Sequence, residues 1–158
     1  MPDPAQVVAE LRDRGQTVAT AESLTAGLLA ATIADVPGAS TALRGGLITY
    51  ATDLKASLAG VPEELLARCG PVHPDTALAL AEGARSRCGA DWGVSLTGVA
   101  GPAEQDGVAV GTVYCGVAGP GGVHVARWTL DGDRARIRRG AVDGALGELL
   151  RAVRRFTS

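Results

Sequence analysis

The chain is poor in lysine, in aromatic residues and in cysteine, and each shortage narrows what the protein can be. Among 15 basic residues only Lys55 is a lysine, so every other fixed positive side chain is a guanidinium. Aromatic residues make up 3% of the 158 positions, which predicts a core of small aliphatic side chains and closely approaching elements. Three cysteines without C-x-x-C spacing argue against a disulfide framework and a zinc site, so we expect reduced thiols.

Long apolar runs and strong net charge are also missing. No apolar stretch is long enough to span a bilayer, and the N-terminus lacks the basic and apolar regions of a signal peptide. The net charge of −2 gives no general attraction to nucleic acid or to anionic membranes. His73 and His124 have no cysteine or acidic partner at ligand spacing, so we expect no metal. These absences predict a cytoplasmic protein without membrane or nucleic-acid partners.

Helical and strand patterns alternate along the chain and predict one domain over residues 1–158. Predicted helices cover residues 4–14, 23–36, a short stretch from 53, 62–69, 74–88 and 134–156, with Asp3 and Asp133 as the caps before the first and the last. Predicted strands cover 17–20, 47–51, 92–97, 110–117 and 123–130. The last two strands flank Ala-Gly-Pro-Gly-Gly, a sequence typical of a β-hairpin. We therefore expect a three-layer α/β/α sandwich with a mixed, mostly parallel sheet plus a C-terminal β-hairpin.

The first place where chemistry could occur is the predicted junction between the first strand and the second helix. Ser23 lies there, beside the free N–H groups of the predicted first helical turn. Those donors could hold a phosphate or the oxyanion of an acyl-transfer transition state. Serine is also a preferred N-cap, so Glu22 or Ser23 could simply satisfy the helix end. The residues alone leave both interpretations open.

The second place is the stretch that contains the only lysine. Tyr50 ends a predicted strand, and Lys55 follows five positions later. A lysine that loses its proton can act as a base, whereas an arginine stays protonated in proteins. Ser–Lys pairs are a recurring alternative to Ser–His–Asp in nucleophilic catalysis. Pairing of Lys55 with Asp53 or with solvent on an exposed helix face is the alternative.

The third place is a glycine-rich loop after the predicted strand at 92–97. Thr97, Gly98, Ala100 and Gly101 lie at the carboxyl end of that strand, where open α/β sheets bind ligands. The loop matches neither G-x-G-x-x-G nor a P-loop, so it does not indicate dinucleotide or triphosphate binding, and a plain turn is the alternative. Near the C-terminus, Arg134 with Arg138 could reach a phosphate or could be surface charge after a helix cap.

Taken together, these segments resemble the C-terminal domain family of CinA proteins, the nicotinamide-nucleotide amidases. The resemblance covers nearly the whole chain and is carried by six motifs in order: Ala-Glu-Ser23-Leu-Thr25-Ala-Gly27, Val36-Pro-Gly-Ala-Ser40, Gly45-Gly46-Leu-Ile-Thr-Tyr50 with Lys55, Thr97-Gly-Val-Ala-Gly-Pro102, Val110-Gly-Thr-Val and Gly132-Asp-Arg134. It implies hydrolysis of the carboxamide of nicotinamide mononucleotide to nicotinate mononucleotide and ammonia, without a cofactor.

The resemblance also implies roles for individual residues. Ser23 would be the nucleophile, Lys55 its base and Tyr50 a hydroxyl that helps proton transfer. The nucleotide site would be lined by residues of the first helical turn, of the glycine-rich loop and of the C-terminal segment: Thr25, Gly27, Gly46, Thr97, Gly98, Ala100, Gly101, Arg134 and Arg138. A homodimer or larger homo-oligomer and the stand-alone form of the domain are further expectations.

The chain departs from the family pattern at three points. Leu24-Thr25-Ala26-Gly27 replaces the common Cys-Thr-Gly-Gly, His73 replaces a common serine, and Val108-Ala109-Val110-Gly111 replaces Lys-Pro-Val-Gly. Two alternatives to the amidase therefore remain at this stage. One is a non-catalytic nucleotide-binding or partner-binding module on the same scaffold, and the other is a Ser–Lys amidase that acts on another amide.

Overall fold

The computed structural model describes residues 2–156, which contain six α-helices and five β-strands. A short 3-10 turn at Ala39–Thr41 precedes the second strand. The elements, in chain order, are α1 Pro4–Asp13, β1 Val18–Glu22, α2 Leu28–Ala34, β2 Leu43–Ile48, α3 Thr52–Ser57, α4 Glu63–Cys69, α5 Pro74–Cys88, β3 Trp92–Gly98, β4 Thr112–Gly119, β5 Gly122–Thr129 and α6 Arg134–Arg155.

The five strands form one mixed sheet in the order β2-β1-β3-β4-β5. The central strand β1 pairs in parallel with β2 and β3, whereas β4 pairs antiparallel with β3 and β5. The predicted α/β sandwich with a mixed sheet is therefore confirmed. Four of the five strands run in the same direction and β4 alone is reversed, so two of the four strand pairings are parallel and two are antiparallel.

Helices cover both faces of this sheet and bury two separate apolar clusters. The larger cluster lies between the sheet and α1, α2 and α6, and includes Leu11, Ile33 and Leu146. The smaller cluster lies on the α5 side and includes Ala19, Ala21 and Leu80. The two alanines on the α5 face of β1 and the scarcity of aromatic residues are consistent with the close packing that the composition predicts.

Close packing of α5 on the sheet depends on glycine. A Cβ atom at Gly93 in β3 would collide with the carbonyl oxygen of Ala81, and one at Gly116 in β4 with that of Ala77. Both glycines therefore let the α5 backbone approach the sheet more closely than any side chain would allow. This contact holds the centre of the sheet against α5, below the strand ends where the candidate site lies.

The largest differences between predicted and observed boundaries are at α2 and β2. Helix α2 begins at Leu28 and not at residue 23, because Ala26 (φ 48°) and Gly27 (φ 97°) adopt left-handed backbone conformations that a right-handed helix excludes. Strand β2 covers Leu43–Ile48 and not 47–51, because its partner β1 ends at Glu22, which pairs with Ile48. No helix within residues 2–156 has the length and apolar character needed to cross a membrane.

Candidate active site

A cavity of about 160 Å³ opens at the carboxyl ends of β1 and β3. In the sheet, β1 and β3 are neighbours. The strand that follows β1 in the chain, β2, lies on the outer side of β1, and the strand that follows β3, β4, lies on the opposite side of the pair. The cavity therefore lies where the strand order reverses. Open α/β sheets bind their ligands at such switch points. The lining residues come from five segments: Ser23, Leu24, Tyr50, Lys55, Pro71, Val72, Gly98, Val99, Ala100, Gly101, Ala103, Gln105 and Arg134.

Ser23 and Lys55 meet in this cavity. The Nζ atom of Lys55 lies 3.1 Å from the Oγ atom of Ser23, although 32 positions separate the two residues. Lys55 is in α3 and also donates to the backbone oxygens of Thr49 at 2.7 Å and Tyr50 at 3.5 Å. The structure therefore brings the predicted nucleophile and base into direct hydrogen-bond contact.

The environment of Lys55 favours loss of its proton. The side chain is only 1% exposed, and the hydrogen-bond acceptors around its amine are two carbonyls and a hydroxyl, with no ion pair to Lys55 among residues 2–156. Because burial penalises the charged form, the pKa of the Lys55 ammonium falls from 10.5 to about 8. The alternative of an exposed lysine paired with Asp53 does not describe this structure. A buried amine with this pKa can accept the proton of a serine hydroxyl.

Tyr50 lines the cavity but does not join the Ser–Lys pair through its hydroxyl. Its side chain is 54% exposed, and its Oη atom accepts a hydrogen bond of 2.7 Å from Arg134. The contact with Lys55 goes through the backbone carbonyl of Tyr50. The expected hydroxyl relay is therefore not formed, because Arg134 at the start of α6 holds that hydroxyl at the rim.

The helix-start donors expected beside Ser23 are already occupied. The Glu22 carboxylate, 1% exposed, accepts hydrogen bonds from the backbone N–H groups of Leu29 at 2.7 Å and Ala30 at 3.0 Å. It also accepts from the Thr20 hydroxyl at 3.0 Å. Glu22 thus caps α2, as one of the two sequence-based alternatives proposed, and Ser23 lies in the turn before that helix.

Other backbone donors are present in the cavity wall. Leu24 and Ala100 both line the cavity, and no acceptor for either backbone N–H is found in the described part of the chain. Unpaired backbone N–H groups next to a nucleophile can stabilise an oxyanion. Leu24 follows Ser23 directly and Ala100 belongs to the glycine-rich loop, so the donors come from two of the three segments that the sequence singled out.

Four of the nine residues predicted to bind substrate line the cavity. Gly98, Ala100 and Gly101 form its loop wall. Arg134 is at the rim, where its guanidinium donates to the Gly101 carbonyl at 2.6 Å and to Tyr50. Arg134 therefore connects the loop to the end of β2, and its exposed side chain is available to an anion.

Three predicted binding residues have structural contacts outside the cavity wall. A Cβ atom at Gly46 would collide with the Thr20 hydroxyl, so this glycine serves the pairing of β2 with β1. The Thr97 hydroxyl donates to the Pro71 carbonyl at 2.6 Å and anchors the opposite wall. Gly27 supplies the left-handed residue before α2. These contacts explain why the three residues do not reach the cavity.

Arg138 and Thr25 also lie outside the wall. Arg138 donates from Nε to the Leu24 carbonyl at 2.8 Å and from Nη2 to the Thr25 carbonyl at 3.1 Å. It therefore supports the turn that follows Ser23 and leaves Arg134 as the arginine at the cavity. Thr25 is fully buried, and its hydroxyl has no hydrogen-bond partner within residues 2–156.

Sequence reasoning missed the wall formed by Pro71, Val72 and Gln105. Pro71 and Val72 connect α4 to α5, and Gln105 belongs to the loop after β3. In the connection between α4 and α5, the sequence analysis noted only that His73 replaces a serine common in the family. No local pattern indicated Gln105. Both segments reach the cavity through tertiary packing.

His73 lies close to a cysteine and an acidic side chain, which the sequence analysis did not predict. Its Nδ1 atom accepts a hydrogen bond of 3.1 Å from the Asp75 backbone and caps α5. One ligand atom each of Cys69, His73 and Asp75 lies within 4.8 Å of the other two. The statement that His73 lacks cysteine and acidic partners is therefore wrong, because the tight turn between α4 and α5 brings the three side chains together.

Comparison with known proteins places this chain in a family. Residues 3–153 match the CinA C-terminal domain. A CinA-like protein of Frankia casuarinae is 53% identical over 140 residues, which are 89% of this chain and 32% of that protein. A putative competence-damage inducible protein of Desulforamulus reducens is 44% identical over 89% of this chain and 34% of its own length. The chain belongs to the CinA C-terminal domain family and spans about a third of these curated relatives.

Solved structures show the same fold. A CinA superfamily protein from Klebsiella pneumoniae superposes with a TM-score of 0.93 at 27% identity, covering 97% of this chain and 96% of that one. The competence/damage inducible protein CihA from Agrobacterium tumefaciens has a TM-score of 0.85 at 33% identity, with 97% and 96% coverage. The α/β sandwich is thus the fold of this superfamily.

Proposed function

We propose that the chain hydrolyses the carboxamide of nicotinamide mononucleotide to nicotinate mononucleotide and ammonia. The observation that carries this proposal is the contact of 3.1 Å between a buried, weakly basic Lys55 amine and the Ser23 hydroxyl. The names of the relatives refer to competence and damage, so the choice of substrate rests on the motif resemblance. The proposed reaction uses neither a cofactor nor a catalytic metal.

The proposed mechanism has two steps. In the first, the neutral Lys55 amine takes the Ser23 proton while Oγ attacks the carboxamide carbon, and the resulting ammonium then protonates the departing nitrogen as ammonia. The backbone N–H groups of Leu24 and Ala100 stabilise the tetrahedral oxyanion. In the second step, Lys55 deprotonates a water that hydrolyses the ester on Ser23, which releases the carboxylate and regenerates the hydroxyl.

The size of the cavity limits which part of the substrate enters it. Small-molecule sites usually measure roughly 300–1,000 Å³, and this one measures about 160 Å³. It therefore takes the carboxamide end of the substrate, while the ribose phosphate remains at the rim. Arg134 is the exposed cation at that rim, so we assign the phosphate to it.

The test is release of ammonia and nicotinate mononucleotide by the purified chain. Ser23→Ala and Lys55→Arg should each reduce kcat/KM about 10³-fold or more, because one removes the nucleophile and the other keeps the charge but cannot deprotonate. Ser86→Ala, on the exposed side of α5, is the matched control and should retain full activity. Undiminished turnover in Lys55→Arg would exclude Lys55 as the base.

The same assay separates the alternatives. Binding of the mononucleotide with hydrolysis at background would favour a non-catalytic binding module, and faster release of ammonia from another amide would change the substrate. We further propose that the chain acts as a single cytoplasmic domain and assembles as a homodimer or larger homo-oligomer. Sedimentation of the purified protein tests the assembly.

A further inference from the structure

A second cluster of reactive side chains lies outside the Ser–Lys pair, in the turn between α4 and α5. Cys69 is the last residue of α4, His73 is the N-cap of α5, and Asp75 is in the first turn of α5. One ligand atom from each lies within 4.8 Å of the others. The mechanism proposed above uses none of the three.

The cluster is accessible to ions from solvent. The side chains of His73 and Asp75 are 36% and 58% exposed, and the Cys69 thiol is free and half-buried. Cys69 also lines a hollow of about 40 Å³ whose other walls include Pro71, Val72 and Asp106. Since Pro71 and Val72 also line the Ser–Lys cavity, the cluster lies directly beyond that cavity's wall.

We propose that Cys69, His73 and Asp75 form a binding site for a divalent transition-metal ion of the zinc class. Thiolate, imidazole and carboxylate are the three ligand types that Zn²⁺ takes from proteins, with metal–ligand distances of about 2.0–2.3 Å. Ligand atoms less than 5 Å apart can converge on one ion through small side-chain rotations. The mixture of one soft, one intermediate and one hard ligand favours zinc-class ions over Ca²⁺ and Mg²⁺, which prefer oxygen.

Metal binding at this cluster would release one proton and break one hydrogen bond. The Cys69 thiol binds as a thiolate, so its proton passes to solvent when the metal enters. The lone pair of His73 Nδ1 now accepts the Asp75 N–H. Coordination through Nδ1 would replace that hydrogen bond, and coordination through Nε2 would move the ring proton to Nδ1 and also break it. Metal binding therefore exchanges the imidazole cap of α5 for a metal–nitrogen bond, and solvent completes the coordination.

This exchange determines which variants are informative. His73→Asn removes the imidazole but keeps a side chain that caps helices well, so a loss of metal binding is not a loss of the cap. Cys69→Ser removes the thiolate at nearly constant volume. His124→Asn and Cys88→Ser are the matched controls, since His124 lies on β5 and Cys88, a half-buried free thiol, ends α5 away from the cluster.

The experiment is titration of the full chain with Zn²⁺ against a chromophoric chelator, together with Co²⁺ absorption as a report on thiolate ligation. We expect one ion per chain, a thiolate-to-Co²⁺ charge-transfer band, and binding weakened about tenfold or more by Cys69→Ser and by His73→Asn. His124→Asn and Cys88→Ser should bind as the parent does. Circular dichroism of each variant checks that it is folded.

Two outcomes would overturn the site. One is the absence of stoichiometric Zn²⁺ binding by the parent chain, in which case the cluster is only a helix cap beside a thiol. The other is binding that Cys69→Ser and His73→Asn leave unchanged in folded protein. Both readouts measure metal binding, so they are independent of whether the chain is an amidase.

Discussion

Two concave regions of the molecule differ in size and in chemistry. The first is the Ser–Lys cavity of about 160 Å³. The second is a groove of about 740 Å³ between the edge strand β5 and the end of α6, which we call the β5 groove; the ionisable side chains that line it are His124, Glu148, Arg151 and Arg155. The groove is several times larger, yet the cavity holds the pair that can perform covalent chemistry.

The two regions differ in the solvent exposure and the ion pairing of their ionisable side chains. In the β5 groove the Glu148 carboxylate contacts the His124 imidazole at 3.2 Å and the Arg151 guanidinium at 2.6 Å, and both Arg151 and Arg155 are exposed to water. The described lining of that groove contains no serine, threonine, cysteine or lysine. In the cavity Lys55 has no counter-charge among the described residues, and its burial lowers the pKa of the ammonium group. Reactivity here follows from desolvation and not from volume.

The largest expected effect that would separate the two regions is on stability. Unfolded Lys55 titrates near 10.5 and folded Lys55 near 8, so between these values the unfolded state binds more protons and stability rises with pH. Relative to Lys55→Met, the free energy of unfolding of the parent should increase by about 3 kcal/mol from pH 7 to pH 11. Denaturant unfolding at several pH values measures it.

The matched change in the β5 groove is Arg151→Met. The Arg151 side chain is 60% exposed, and an arginine stays protonated over this pH range. The difference in free energy of unfolding between the parent and Arg151→Met should therefore not vary from pH 7 to pH 11. A Lys55→Met difference that is equally independent of pH would show that the amine of Lys55 is solvated in the folded state as it is in the unfolded state. The proposed base would then lose its physical support.

A smaller effect is expected on substrate binding. Arg134→Ala should raise KM for nicotinamide mononucleotide about 10- to 100-fold, because it removes a charge-assisted hydrogen bond to the phosphate. Arg155→Ala, an exposed arginine of the β5 groove, should leave KM unchanged. Steady-state kinetics on both variants compare the regions directly. If only Arg155→Ala raised KM, the substrate phosphate would belong to the larger groove.

A further expected effect is on the pH–rate profile. Only the neutral amine of Lys55 accepts the Ser23 proton, so log kcat/KM should rise by about one per pH unit below pH 8 and level off above it. Glu148→Gln, in the β5 groove, should leave the profile unchanged. Initial rates between pH 6 and 9.5 test this, and a flat profile across pH 8 would contradict the assignment.

Much of the fold was predictable because its signals are local. Asp3 and Asp133 cap α1 and α6 as their positions before helical patterns predict, with side-chain bonds to Ala5 and Arg136. The start of α2 was not predictable in the same way. The apolar run from Leu24 continues the helical pattern, but the left-handed Ala26 is an unusual conformation for alanine, and Glu22 reaches past the turn to cap α2.

The candidate site was predictable in its chemistry more than in its geometry. Ser23 and Lys55 stood out by residue type, and they meet as expected. Tyr50 stood out in the same motif, but its hydroxyl bonds Arg134, 84 positions away. Arg138 could not be told from Arg134 in sequence, and packing alone directs it to the carbonyls of Leu24 and Thr25.

The sequence by itself determined that Lys55 carries the only side-chain amine, and that strands and helices alternate as an α/β sandwich requires. These properties depend on residue type and on local periodicity. Only the tertiary structure decided that Lys55 is desolvated, that it touches Ser23 and that Cys69, His73 and Asp75 share one turn. Burial and side-chain distance depend on how distant segments pack, and no local pattern encodes that packing.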